Sequence, residues 1–103
     1  FEVLVMHASP DDPTHALVDD ATPHEMLVNL AKALQADCVV TAHTHRAFVR
    51  EAGGCVFLNA GSVGESTGSD HRPSWAVVQA GPSGVSATLR RVARPLAVAR
   101  PTT

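Results

Sequence analysis

Two histidines stand one residue apart in VVTAHTHRAF, residues 39–48, directly after a run of strand-forming apolar residues. A third, His7, ends another apolar run in FEVLVMHASPDD, residues 1–12. Neutral imidazole is the commonest protein ligand for borderline divalent cations such as Zn, Mn, Fe or Ni. In α/β folds, ligand sites collect just outside the carboxyl ends of strands. If the two strands are parallel neighbours, His7 and His43 leave the same sheet edge, about 5 Å apart at the backbone. His45 turns to the same side provided that the backbone between the two stays extended. Three imidazoles then converge, a metal-ligand pattern. His15, His24 and His71 lack such a setting and read as surface or hydrogen-bonded residues.

The elements that must hold these side chains follow from periodicity and turn chemistry. Glu2–Met6 reads as a short buried strand. HASPDDPTHALVDDATP, residues 7–23, is a long loop, a class more often functional than idle. Thr22 is placed to cap a helix, with Pro23 at its first position and Glu25 at capping-box spacing. Met26, Leu27, Leu30, Ala31 and Leu34 then share one helical face, and the helix should end near Ala36. DCVVTA, residues 37–42, is a buried strand by its β-branched content. AFVREAGGCVFLNA, residues 47–60, reads as a hairpin around Gly53-Gly54. A second long loop, residues 61–74, precedes another strand pair around GPSG, residues 81–84. The expected order is strand, loop, helix, strand, loop, hairpin, loop, hairpin: a mixed α/β chain with parallel first strands and four antiparallel last ones. Residues 1–92 form one unit, and 93–103 form a tail expected to fray.

At 103 residues and 45% apolar content the chain suits one domain. No apolar run approaches the roughly 18 residues of a membrane span, so no membrane partner is expected. Cys38 and Cys55 each lie within an apolar strand-like run. They read as buried reduced thiols of a cytoplasmic protein, and nothing resembling a secretory leader opposes that location. A net charge of −2 gives no nucleic-acid footprint. Acids dominate residues 1–31, and Arg90, Arg91, Arg94 and Arg100 dominate the end. This reads as two solvated surfaces of opposite bias, with a basic tail contacting nucleic acid as a weakly supported alternative. The opening in FEVLVM, without initiator Met or polar lead-in, suggests a segment of a longer chain.

AHTH at 42–45 followed by LNAGSVG at 58–64 resembles the C-terminal half of the calcineurin-like metallophosphoesterases, which show Gly-His-x-His, a hairpin, then Asn-Pro-Gly-Ser-Val-Gly. VMHASP at 5–10 is similar to the family's preceding strand-then-His-Gly segment. HRPSWAVV at 71–78 resembles the stretch closing the bacterial phosphodiesterase branch, with Trp75 where Tyr is usual. The resemblance implies a four-layer α/β/β/α sandwich around two divalent ions (Mn, Fe, Zn or Ni), with His7 and His43 on one and His45 on the other. It implies hydrolysis of phosphate mono- or diesters, the paired cations neutralising phosphate charge and acidifying an attacking water. Asn59, Gly61 and Ser62 fall on the loop that borders the site in relatives, so Asn59 and Ser62 are candidates for the phosphate side. Arg72 is a further candidate for substrate phosphate through charge-assisted hydrogen bonds, against a plain surface role.

Ala42 replaces the motif's first Gly and Ala60 its Pro, both small-residue changes. The family's first half supplies Asp-x-His, a metal-bridging Gly-Asp and Gly-Asn-His, and none of these stands in this sequence. The chain therefore corresponds to the C-terminal half, its partners being the absent N-terminal half and a phosphate ester, and alone it should be inactive. Without those strands, Val3, Val5, Val39 and Val40 should have one unprotected side.

Other readings are weaker. NAGSVG, residues 59–64, lacks the strand–elbow–helix context of an acyl hydrolase, and the following serine-rich loop lacks a P-loop lysine. A structural zinc site of three His with Asp11 or Asp12 would lack the usual thiolates. The main rival is a non-catalytic protein-interaction scaffold on the same fold, against which the three retained histidines speak.

Overall fold

The structure, a computed structural model, describes residues 1–8, 18–62 and 72–92. The expectations for Asp11, Asp12, His15, His71 and the 93–103 tail fall outside the described residues. The elements are β1 (Val3–Val5), α1 (His24–Leu34), β2 (Cys38–Thr41), β3 (Phe48–Ala52), β4 (Cys55–Asn59), β5 (Ser74–Gly81) and β6 (Gly84–Arg91). Among the described residues no helix is long and apolar enough to cross a membrane.

β1, β2 and β4 run parallel, and β3 joins the far side of β4 antiparallel, giving the order β1-β2-β4-β3. The hairpin at Gly53-Gly54 forms as expected, with φ values of 59° and 76°. Two positive φ values in a row are the type I′ signature, which matches strand twist and favours glycine. The expectation that the last four strands are simply antiparallel needs correction. The β3–β4 hairpin inserts its second strand beside β2, so β4 is also a parallel partner. β5 and β6 form the second hairpin as a separate two-stranded sheet.

Register decides which face each residue serves. Val39 and Phe57 are partners, as are Ala52 and Cys55, and all four pack with Leu27 and Ala31 of α1 and with Val18. The other face carries Cys38, Val56 and Leu58, all buried, on the side where β6 packs against β3 and β4. Every residue of β4 is therefore buried. Removing a side chain such as Phe57 from water contributes about 2–3 kcal/mol. The result is three layers (helix, mixed sheet, hairpin sheet) of the expected sandwich.

β1 does not read as the buried strand expected. Val3 and Val5 share a face with Cys38 and Val40, yet are 46% and 70% exposed. The second sheet covers β3 and β4, and its cover fades toward β1: Leu58 is buried, Val40 half-buried and Val5 open. Val3 and Val5 are thus unprotected as expected, whereas Val39 is buried by α1's side of the sheet. β1 is held by main-chain pairing and by Asp37, whose carboxylate accepts from Glu2 N at 2.8 Å.

The helix also departs from expectation at its ends. Pro23, with ψ 140°, is the N-cap, and no side chain caps the helix. The Thr22 hydroxyl instead accepts from Asp19 N at 2.8 Å and donates to the Asp19 carboxylate, so a preceding turn consumes the capping group. The helix ends at Leu34, two residues before the expected Ala36, and Gln35 closes it in the left-handed region, φ 52°. Leu27 and Ala31 are buried, but Met26 is 52% exposed, because Val28 rather than Met26 completes the packed face.

Cys38 and Cys55 are free and buried, as their apolar settings require. Burial pushes both thiols up, Cys55 from 9.0 to about 11 with added repulsion from Cys38 and Asp37. The fold favours the protonated thiols, so their contribution to stability is complete below pH 9 and is lost as pH rises toward 11. At pH 8 the native protein is expected to leave both thiols unlabelled by an aromatic disulfide reagent, and guanidinium to release two. The urea midpoint should fall across that same alkaline window, more steeply than in a Cys38→Ala, Cys55→Ala variant.

Candidate metal centre

The parallel arrangement of β1, β2 and β4 brings their carboxyl ends to one edge. His7 follows β1, the segment 42–47 follows β2, and Asn59 ends β4. The ladder extends past the strands: Met6 N donates to Val40 O at 2.9 Å and Ala42 N to His7 O at 3.0 Å. This clamps the two histidine-bearing loops together. His7 Nε2 and His43 Nδ1 lie 3.1 Å apart in hydrogen-bond contact, with ring centroids at 5.0 Å and planes at 75°.

The backbone between His43 and His45 is not extended. φ is 68° at His43 and 58° at His45, both in the left-handed region that a side-chain-bearing residue seldom adopts. Thr44 N donates to Ala42 O at 2.8 Å, closing a γ-turn centred on His43. Each such residue costs on the order of 1 kcal/mol or more and persists only where surrounding contacts hold it. His45 is half-buried. Among the described residues no three His, Cys, Asp or Glu side chains converge where a metal ion could bind. The structure thus brings His7 and His43 together and leaves His45 outside a three-ligand group.

Asn59 supplies the surrounding contacts. Its side chain is 1% exposed, and its Nδ2 donates to Ala42 O at 2.9 Å and to Thr44 Oγ1 at 3.2 Å. Its Oδ1 accepts from Gly61 N at 2.8 Å. Both amide hydrogens of Asn59, a residue expected on the phosphate side, are engaged in the loop. Ser62 uses its carbonyl to accept from Ser74 N at 2.9 Å. Arg72 is half-buried at the start of the second sheet, its carbonyl accepting from the Arg91 guanidinium at 3.4 Å.

Sequence reasoning missed Ser74. This buried hydroxyl donates to Ala60 O at 2.7 Å and so ties β5 to the loop after Asn59. A serine opening a strand of apolar residues was the available signal. Arg46 pairs with Asp20 at 3.2 Å, and Arg50 donates to Thr22 O, fastening the loop and β3 to the segment before α1.

Two imidazole nitrogens on one cation, each bonded at about 2.0–2.1 Å with an angle between 90° and tetrahedral, stand roughly 2.9–3.4 Å apart. The 3.1 Å separation of His7 and His43 falls within that span. The separation of this pair fits a shared divalent ion, which would take a lone pair from each nitrogen.

The family description of a calcineurin-like phosphoesterase superfamily domain matches residues 1–81. The chain belongs to this family. Among solved structures, it is similar to the hypothetical protein PH1004 of Pyrococcus horikoshii, with TM-score 0.65 and 15% identity over 84% of this chain and 34% of that one. It is also similar to a predicted phosphoesterase of Streptococcus pneumoniae, with TM-score 0.50 and 20% identity over 72% and 52% of the two chains. A zinc-complexed Vps29 of Entamoeba histolytica aligns with TM-score 0.49 and 27% identity over 74% and 49%. The first two share the fold, and the mixed α/β architecture is that of the metallophosphoesterases. No curated protein sequence matches the chain. The chain spans about a third to a half of the length of these structures, at 34%, 52% and 49%.

Gly61 offers a test of how tightly the edge is assembled. Its φ is 78°, and an added Cβ would sit 2.2 Å from Ser74 Oγ and 3.0 Å from Ala47 Cβ. Gly61→Ala is expected to cost about 2–4 kcal/mol, combining backbone strain with overpacking. Urea denaturation measures this. Gly54→Ala, where an added Cβ meets nothing within 4 Å, should cost only about 1 kcal/mol.

Proposed function

We propose that this chain carries the histidine side of a two-metal phosphoesterase centre that hydrolyses phosphate mono- or diesters. His7 and His43 hold one ion and His45 the other, Mn, Fe, Zn or Ni being suited to imidazole. A further segment of the same domain supplies the carboxylate and amide ligands, so the chain alone is inactive. The observation that carries this reading is the 3.1 Å approach of two imidazoles at the carboxyl edge of parallel strands, in a chain of this family.

Cations bound there neutralise the charge of a phosphate ester and lower the pKa of an attacking water. The chain's own residues contribute position. The β1–β2 ladder fixes the spacing of His7 and His43, and Asn59 holds the turn from which His43 projects. Arg72 and Ser62 stand on the substrate side. The free, buried thiols suit a reducing compartment, which supports a cytoplasmic location.

Manganese-dependent hydrolysis of bis-p-nitrophenyl phosphate by the full-length protein tests this. His43→Ala and His7→Ala should each reduce kcat/KM by more than about 100-fold, beyond the 10–100-fold typical of losing a ligand's outer partner. Circular dichroism should stay unchanged, and chelation should abolish the wild-type rate. Manganese binding without hydrolysis of either mono- or diester would instead identify a protein-interaction scaffold on the same fold.

A further inference from the structure

We propose that Asn59 is the residue that aims the His43 ring at His7, through a tie from the end of β4 to both ends of the γ-turn. This deepens the functional reading above and rests on it for the metal-binding consequence, though not for the ring placement itself.

Left to itself, the turn at His43 would relax, because φ of 68° is unfavourable for a residue with a Cβ. One internal hydrogen bond, Thr44 N to Ala42 O, closes it. The Asn59 amide then donates to the first residue's carbonyl and the third residue's hydroxyl, bracketing the central histidine. Ala42 O thereby accepts two donors, one for each lone pair.

The Asn59 side chain cannot easily swing away. It is buried, and its Oδ1 is fixed by Gly61 N. Gly61 is itself pressed against Ser74, whose hydroxyl holds Ala60 O. The His43 turn is thus referred through Asn59 to the start of the second sheet.

An asparagine is required because the task needs two donors and one acceptor on a short planar group. Aspartate of the same shape keeps the bond from Gly61 N but loses both donors and faces the Ala42 carbonyl with like polarity. Asn59→Asp and Asn59→Ala therefore test the tie. Thr44→Val removes the hydroxyl end, together with the bond that Arg46 N donates to the same oxygen at 3.3 Å, and serves where the Asn59 variants fail to fold.

Three readouts are taken on the full-length protein. In the metal-free state, NMR follows the ring-to-ring contact of His7 and His43 and the hydrogen exchange of Thr44 N–H. Cobalt(II) titration then reports metal affinity. Amides of β6 report that the fold is intact.

The expected result is loss of the ring contact, faster Thr44 exchange, and metal affinity lowered about 10–100-fold in Asn59→Asp, with β6 still protected. Thr44→Val should lose less, roughly 3–10-fold, since one of the two anchor points survives. A folded Asn59→Asp protein that keeps the His7–His43 contact and wild-type cobalt affinity overturns the proposal. So does a Thr44→Val protein with unchanged exchange and affinity if no Asn59 variant folds. Should the wild type bind no metal, the phosphoesterase reading fails by itself, and the metal-free ring contact and Thr44 exchange still decide the role of Asn59.

Discussion

A buried side-chain amide at the end of a central strand has few ways to satisfy itself, and Asn59 uses three protein partners to do so. Leaving such a group without hydrogen bonds costs about 1–3 kcal/mol for each unmet donor or acceptor. The loop above it and the turn beside it must therefore present Ala42 O, Thr44 Oγ1 and Gly61 N in fixed places. Among the described residues no buried side-chain nitrogen or oxygen lacks a partner. The strained backbone at His43 is tolerated because relaxing it would break this arrangement.

That arrangement in turn needs β4 to be central. Its five residues are buried on both faces, one covered by α1 and the other by the second sheet. The two hairpins differ in consequence. The β3–β4 hairpin delivers Asn59 to the carboxyl edge beside Thr41, while the β5–β6 hairpin delivers Ser74 against Ala60. Site and core are built from the same strand, alternating along it: Phe57 packs, and Asn59, on the same face two residues later, ties.

Much of this was legible in the sequence. The paired glycines at 53 and 54 fixed a hairpin, because consecutive left-handed residues favour glycine and suit few other turns. His7 and His43 could be placed together once parallel strands were assumed. What local pattern could not show was tertiary competition for polar groups. Thr22 has the residue type and spacing of a cap, yet Asp19 takes its hydroxyl. Asn59 has the motif of a residue near phosphate, yet the loop takes its amide. His-x-His reads as extended by alternation, but a γ-turn held from a strand seventeen residues away bends it. Met26 and Val28 are equally plausible on a helical wheel, and only the packing of α1 on the sheet separates them.

The order β1-β2-β4-β3 also has a geometric consequence for the segment that carries the histidines. β2 and β3 are two strand spacings apart, roughly 9–10 Å, with the end of β4 between them. Residues 42–47 must arch over that end, and six residues fully extended would reach about 20 Å. The arch is too long for its span. The left-handed bends at His43 and His45 take up the surplus chain, and Asn59 stands beneath as a pier. The histidines thus sit where excess length has to be folded away, over the middle of the sheet's open end.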